Sequence, residues 1–182
     1  AKATQGHFPG TLCLAGVVHE ECFEGVAARK ISEYVKPDYV VIGEASQLNV
    51  KIGQRGRAEI VVESFGKPCH SANPEKGINA VYKMAAAITA LQKMPLTEHP
   101  VLGKGILELT DIISKPYPGA SVVPEYCRAT YDRRLLVGET KESVLAPIQK
   151  ILDKLMDEDP QASYTVSYAV GKETCYTGTI IE

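Results

Sequence analysis

Hydrophobic positions follow one rule before Asn49 and another after it. In the first part they come as unbroken runs. Gly10 to Val18 is almost wholly apolar, as in a strand buried on both faces of a parallel sheet, and Asp38 to Gly43 carries a second such run, Val40-Val41-Ile42. Between them Gly25 to Val35 reads as a short amphipathic helix stopped by Lys36-Pro37. This is a β-α-β opening, as at the edge of an α/β domain.

After Asn49 the runs give way to alternation and to helical stripes. Val50 to Phe65 alternates, with Ala58, Ile60 and Val62 between Glu59, Val61 and Glu63, and predicts an antiparallel strand with one wet face. Ile78, Val81, Met84, Ala85, Ile88 and Leu91 then recur at helical spacing over 77–94, until Pro95 ends the run. Residues 105–114 and 125–136 are strand-like and are separated by the turn-rich Lys115-Pro-Tyr-Pro-Gly119. Thr140 is placed to cap a second helix with Val144, Ile148, Ile151, Leu152 and Leu155 on one stripe, and 164–170 alternates again. The order is β-α-β-β-α-β, the split βαβ or ferredoxin-like motif, which predicts an α+β fold: four antiparallel strands with both helices on one face. The chain thus divides into an α/β segment over 1–48, a ferredoxin-like domain over 49–170, and a short return over 171–182.

Composition narrows the function classes. With 20 basic and 22 acidic residues the net charge is −2, and no basic block marks a nucleic-acid surface. No apolar stretch approaches the ~20 residues of a membrane span. Five dispersed cysteines without a C-x-x-C pair read as reduced thiols, which points to the cytoplasm.

Candidate chemistry sits where apolar runs end. His19-Glu20-Glu21 follows the first run and Gly43-Glu44-Ala45-Ser46 the second, so two neighbouring strands would deliver carboxylates to the same sheet edge, the usual ligand side of an open α/β sheet. Such a set can divide its work, one acid taking a proton from water and others binding a divalent ion. Taken singly, each reads as a solvated loop, and only their coincidence at two strand ends brings a site level with that explanation. His70 lies in a Pro/Gly-rich loop at a helix entrance, and Tyr131-Asp-Arg-Arg134 offers guanidinium forks suited to a carboxylate. A capping histidine and a surface salt bridge are the competing explanations.

Together these segments resemble the zinc-dependent metallopeptidase family that includes aminoacylase, carboxypeptidase G, acetylornithine deacetylase and succinyl-diaminopimelate desuccinylase. His19-Glu20-Glu21 is similar to the family's D-E-E segment, which implies Glu20 as general base and Glu21 as metal ligand. Gly43-Glu44-Ala45-Ser46 resembles its E-P-[TS] segment, implying Glu44 as a second ligand. Cys69-His70-Ser71-Ala72-x-Pro74-x-x-Gly77-x-Asn79-Ala80 is similar to the signature that opens the family's inserted dimerisation, or lid, domain. By that resemblance His70 reaches across a homodimer to bind substrate or stabilise an oxyanion in the partner's site, and Arg134 holds a substrate carboxylate. Gly53-Gln-Arg-Gly-Arg57 and Arg133-Arg134 are closest to a branch of selenium-metabolism-linked hydrolases.

The implied activity is hydrolysis of small N-acyl amino acids or dipeptides with two zinc ions. Ser121 stands where many relatives carry asparagine, and Ala45 where they carry proline. The family's earlier histidine and bridging aspartate, and its later histidine, have no counterpart here, so the chain alone is expected to be inactive. A non-catalytic ferredoxin-like module for ligand binding or dimerisation is the alternative, and it would have no use for the carboxylates at 20, 21 and 44.

Overall fold

The computed structural model describes residues 7–18, 20 and 25–169, together with a short strand at 179–180. The chain divides into two compact units, Ala1–Glu44 and Ala45–Glu182.

Among the described residues of the first unit the helix forms and the strands do not. Helix α1, Val26–Val35, starts at Gly25 in the left-handed conformation (φ 75°) and ends at Lys36 (φ 48°), whose N–H donates to the Ser32 carbonyl. The expected strands at 10–18 and 38–43 are absent among the described residues: Leu14 and Val41 are almost fully exposed. A strand of a parallel sheet is defined by ladder bonds to its neighbours and by layers covering both faces. No such neighbour lies among the described residues of this unit.

The second unit follows the predicted order. Strand β1 (Gly53–Gln54) precedes β2 (Gly56–Phe65), helix α2 (Ala80–Leu91), a small hairpin of β3 (Glu98–His99) and β4 (Gly103–Lys104), then β5 (Ile106–Lys115), β6 (Tyr126–Leu135), helix α3 (Lys141–Glu158) and β7 (Tyr164–Tyr168). Strand β8 (Thr179–Ile180) returns to pair with β1. The main sheet runs β5-β6-β2-β7, all antiparallel, as the ferredoxin-like topology requires.

The long strand expected over 50–65 is broken at Arg55. That side chain turns aside so that its Nε donates to the Leu102 carbonyl at 2.9 Å, and β1 pairs with β8 instead of joining the main sheet.

The period of two sorts the faces of the sheet. Ala58, Ile60, Val62 and Ser64 of β2 and Cys127, Ala129 and Tyr131 of β6 are buried against Met84, Ala87 and Leu91 of α2 and Val144, Ile148 and Leu152 of α3. Helix α2 begins later than its apolar stripe suggests, because Asn79 Oδ1 accepts from the N–H of Val81 (2.9 Å) and Tyr82 (3.4 Å) and so fixes the first turn. Thr140 and Ser143 cap α3 reciprocally.

Candidate functional site

His70 lies on a loop pinned from two sides. The Ser71 N–H donates to the Ser121 carbonyl (2.8 Å) and the Val123 N–H to the Cys69 carbonyl (2.9 Å), so the loop after β2 is stitched to the loop before β6. Its glycines are required by close packing. A Cβ on Gly77 would lie 2.5 Å from Cys69 Sγ and 2.7 Å from the Lys67 carbonyl, and one on Gly66 would collide with the Ile78 carbonyl. The side chain of His70 is exposed. Its Nδ1 accepts from the Ala72 N–H at 3.1 Å, which fixes the neutral ring with its proton on Nε2 and leaves that N–H as a donor. Beside the loop runs a shallow groove lined by Ser71, Ile78, Tyr82, Val122 and Pro124.

Arg134 projects from the other face of the sheet, the one without helices. Its Nε lies 2.8 Å from Asp132 Oδ1 and its Nη2 3.4 Å from Oδ2, while Arg57 Nε reaches the same Oδ2 at 2.7 Å. The surface salt bridge considered from sequence therefore exists, and Arg134 remains the most exposed of the three, at 44% against 26% for Arg57 and 16% for Asp132. The neighbouring Arg133 points the opposite way. It is 4% exposed and pairs with Glu139 at 2.6 Å, and a Cβ on Gly105 would press to 2.8 Å from its Nη1.

His70 and Arg134 are not brought together within the chain. Strands β2 and β6 are antiparallel, with Arg57 opposite Arg134 and Phe65 opposite Tyr126. His70 continues beyond the Phe65 end, and Arg134 sits at the other. At ~3.3 Å per residue the stretch from Arg57 to Phe65 alone spans about 25 Å.

The far end of the open face carries Tyr126, whose hydroxyl donates to Glu63 Oε1 at 2.5 Å. Burial, reinforced by that carboxylate, pushes the phenol up to about 12.

The acidic candidates lie in the first unit. Glu20 and Glu44 are exposed, and Glu21 falls outside the described residues. The resemblance implies zinc, but the donor set found here does not complete such a centre. Among the described residues no three His, Cys, Asp or Glu side chains gather, and two carboxylates fall short of the three protein ligands and a water that a hydrolytic zinc takes.

Asp132 and Arg57 were not singled out as partners of Arg134 from sequence. Period-two alternation could have put each on the polar face, but their meeting depends on the pairing of β2 with β6. Among the described residues no helix is long and apolar enough to cross a membrane.

Comparison with known proteins agrees with this architecture. The uncharacterized protein YgeY of Escherichia coli K12 is 37% identical over 145 residues, which cover 78% of this chain and 36% of that protein. The uncharacterized metallohydrolase MJ1497 of Methanocaldococcus jannaschii is 32% identical over 52% of this chain and 27% of its own length, and a succinyl-diaminopimelate desuccinylase of Rhodopseudomonas palustris is 29% identical over 63% and 31%. The chain thus spans about a third of the length of these relatives. The crystal structure of aminopeptidase PepT from Bacillus cereus superposes with a TM-score of 0.52 at 20% identity, over 72% of this chain and 32% of that one, a likeness of fold. The peptidase dimerisation domain matches residues 52–160, more than half of the sequence, and the chain belongs to that family.

Proposed function

We propose that this chain is the dimerisation domain, with flanking segments, of a longer metal-dependent amidohydrolase that cleaves small N-acyl amino acids or dipeptides. Its homodimer forms through the free edge of β5 and the outward face of α2. Ile106, Ile112 and Ile113 are exposed on that edge strand, and Ala85, Ala86 and Thr89 are exposed on the helix, small residues that let a second copy approach closely.

The observation that carries this reading is the state of His70. An exposed imidazole whose Nδ1 is already satisfied by backbone presents Nε2–H outward, which suits donation to an oxyanion. Because Arg134 is a sheet's length away, the two act on one small substrate only when they come from different protomers. Arg134 then holds a substrate carboxylate. Glu20 accepts the proton of the attacking water and passes it to the leaving amine. Glu21 and Glu44 would contribute carboxylates to a divalent ion, typically zinc, which when bound would supply acidification of water and polarisation of a carbonyl. Completing that centre takes ligands from the rest of the longer enzyme, and the chain by itself is inactive.

The test is Glu20→Gln in the longer enzyme. Loss of turnover with metal content retained is expected; unchanged turnover would refute the assignment.

A further inference from the structure

We infer that Asp132 is a positioning residue, one that holds the Arg134 guanidinium side-on so that its outer edge is presented to a ligand carboxylate. This rests on the reading of Arg134 as a carboxylate binder and adds what makes that possible.

Asp132 engages the Nε and Nη2 side of Arg134 with both of its oxygens, at 2.8 and 3.4 Å. Among the described residues no other partner of that guanidinium is present, so its Nη1–Nη2 edge is left for a second, end-on fork. Asp132 is itself held by Arg57 at 2.7 Å. The backbone beneath is fixed as well, because Arg133 Nη1 donates to the Arg134 carbonyl while its other nitrogen is paired with Glu139.

The surrounding field does not attract anions by itself. Glu59 shares the face with Arg57 and stands opposite Asp132 on β2, and Glu108 stands opposite Asp132 on β5, so three carboxylates face two guanidiniums. Recognition of a carboxylate at this place must come from a fork fixed in direction. An arginine free to rotate would pair with whichever acid lay nearest.

The two roles Asp132 could play differ in sign. If it only offset charge, removing it would tighten binding of an anion; if it orients Arg134, removing it weakens binding. The experiment is an NMR titration of the chain, following the Arg134 Nε–H resonance with N-acetylglycine and, as neutral control, N-acetylglycinamide. The wild type is expected to show a saturable shift with the carboxylate alone. Asp132→Asn is expected to weaken it roughly tenfold, the value of one hydrogen bond to a charged group. Arg134→Lys, which keeps the charge but has no side-on edge to be held, is expected to bind as poorly by the backbone shifts of β6, and it carries the test should Asp132→Asn fail to fold. Equal or tighter binding by either variant overturns the positioning role while leaving Arg134 a carboxylate site. No carboxylate-specific shift in the wild type overturns the assignment of Arg134 itself.

Discussion

His70 and Arg134 stand at opposite ends of the same antiparallel pair, β2 and β6, with the whole length of β2 between them. A single copy of the domain therefore cannot close both on a dipeptide-sized molecule, so the proposed joint action of the two calls for a second copy.

The proposed interface for that copy includes the edge of β5. Sedimentation of the chain is expected to give twice its 19.7 kDa mass. The pair Ile112→Lys and Ile113→Lys, placed on exposed positions of the edge strand, is expected to give a monomer with unchanged far-ultraviolet circular dichroism. A dimer that survives both substitutions would move the interface elsewhere.

Arg133 and Glu139 form the most buried ion pair described, and Glu139 also accepts from the Leu136 N–H (2.7 Å) and the Thr97 hydroxyl (3.2 Å). Glu139→Ala strands a buried guanidinium and is expected to cost about 3 kcal/mol or more by urea unfolding. Arg133→Met with Glu139→Leu removes both charges together and is expected to cost much less.

The phenols of Tyr126 and Tyr131 are both pushed up to about 12, Tyr126 by burial and the Glu63 carboxylate, Tyr131 by burial. Their folded values lie above the ordinary 10, so above pH 10 the unfolded chain loses these protons first. Stability is expected to be independent of these two groups below pH 10 and to fall between pH 10 and about 12. Tyr126 and Tyr131, together with Tyr164, whose phenol burial also raises, should ionise late in a spectrophotometric titration, and Tyr126→Phe should remove part of the alkaline loss.

The order of elements after Asn49 is legible because each carries its own period: two in β2, near 3.6 in α2 and α3. Thr140 marks the start of α3 by a side chain that bonds to its first turn, whereas the cap at Asn79, which starts α2, lay inside the stripe expected over 77–94. The first 44 residues are less legible. An unbroken apolar run such as Thr11 to Val18 encodes a buried strand only where neighbouring strands exist to pair with it, and that condition lies outside the run. The break at Arg55 was hidden for a similar reason, since it is set by the return of β8 to β1 and by a carbonyl at Leu102. His70 could be found from a local motif, whereas the Arg57–Asp132–Arg134 cluster joins positions 75 residues apart and required the register of the sheet.

The most direct measurement is complementation between two inactive forms of the longer enzyme, one carrying His70→Ala and the other Glu20→Gln. If His70 serves the partner's site, a mixed dimer contains one site with Glu20 intact and a His70 donated from across the interface. Random mixing then restores about a quarter of wild-type activity, since half of the dimers are mixed and each has one working site of two. Activity that stays at the level of the separate variants, in dimers shown to have exchanged subunits, would contradict a histidine acting across the dimer.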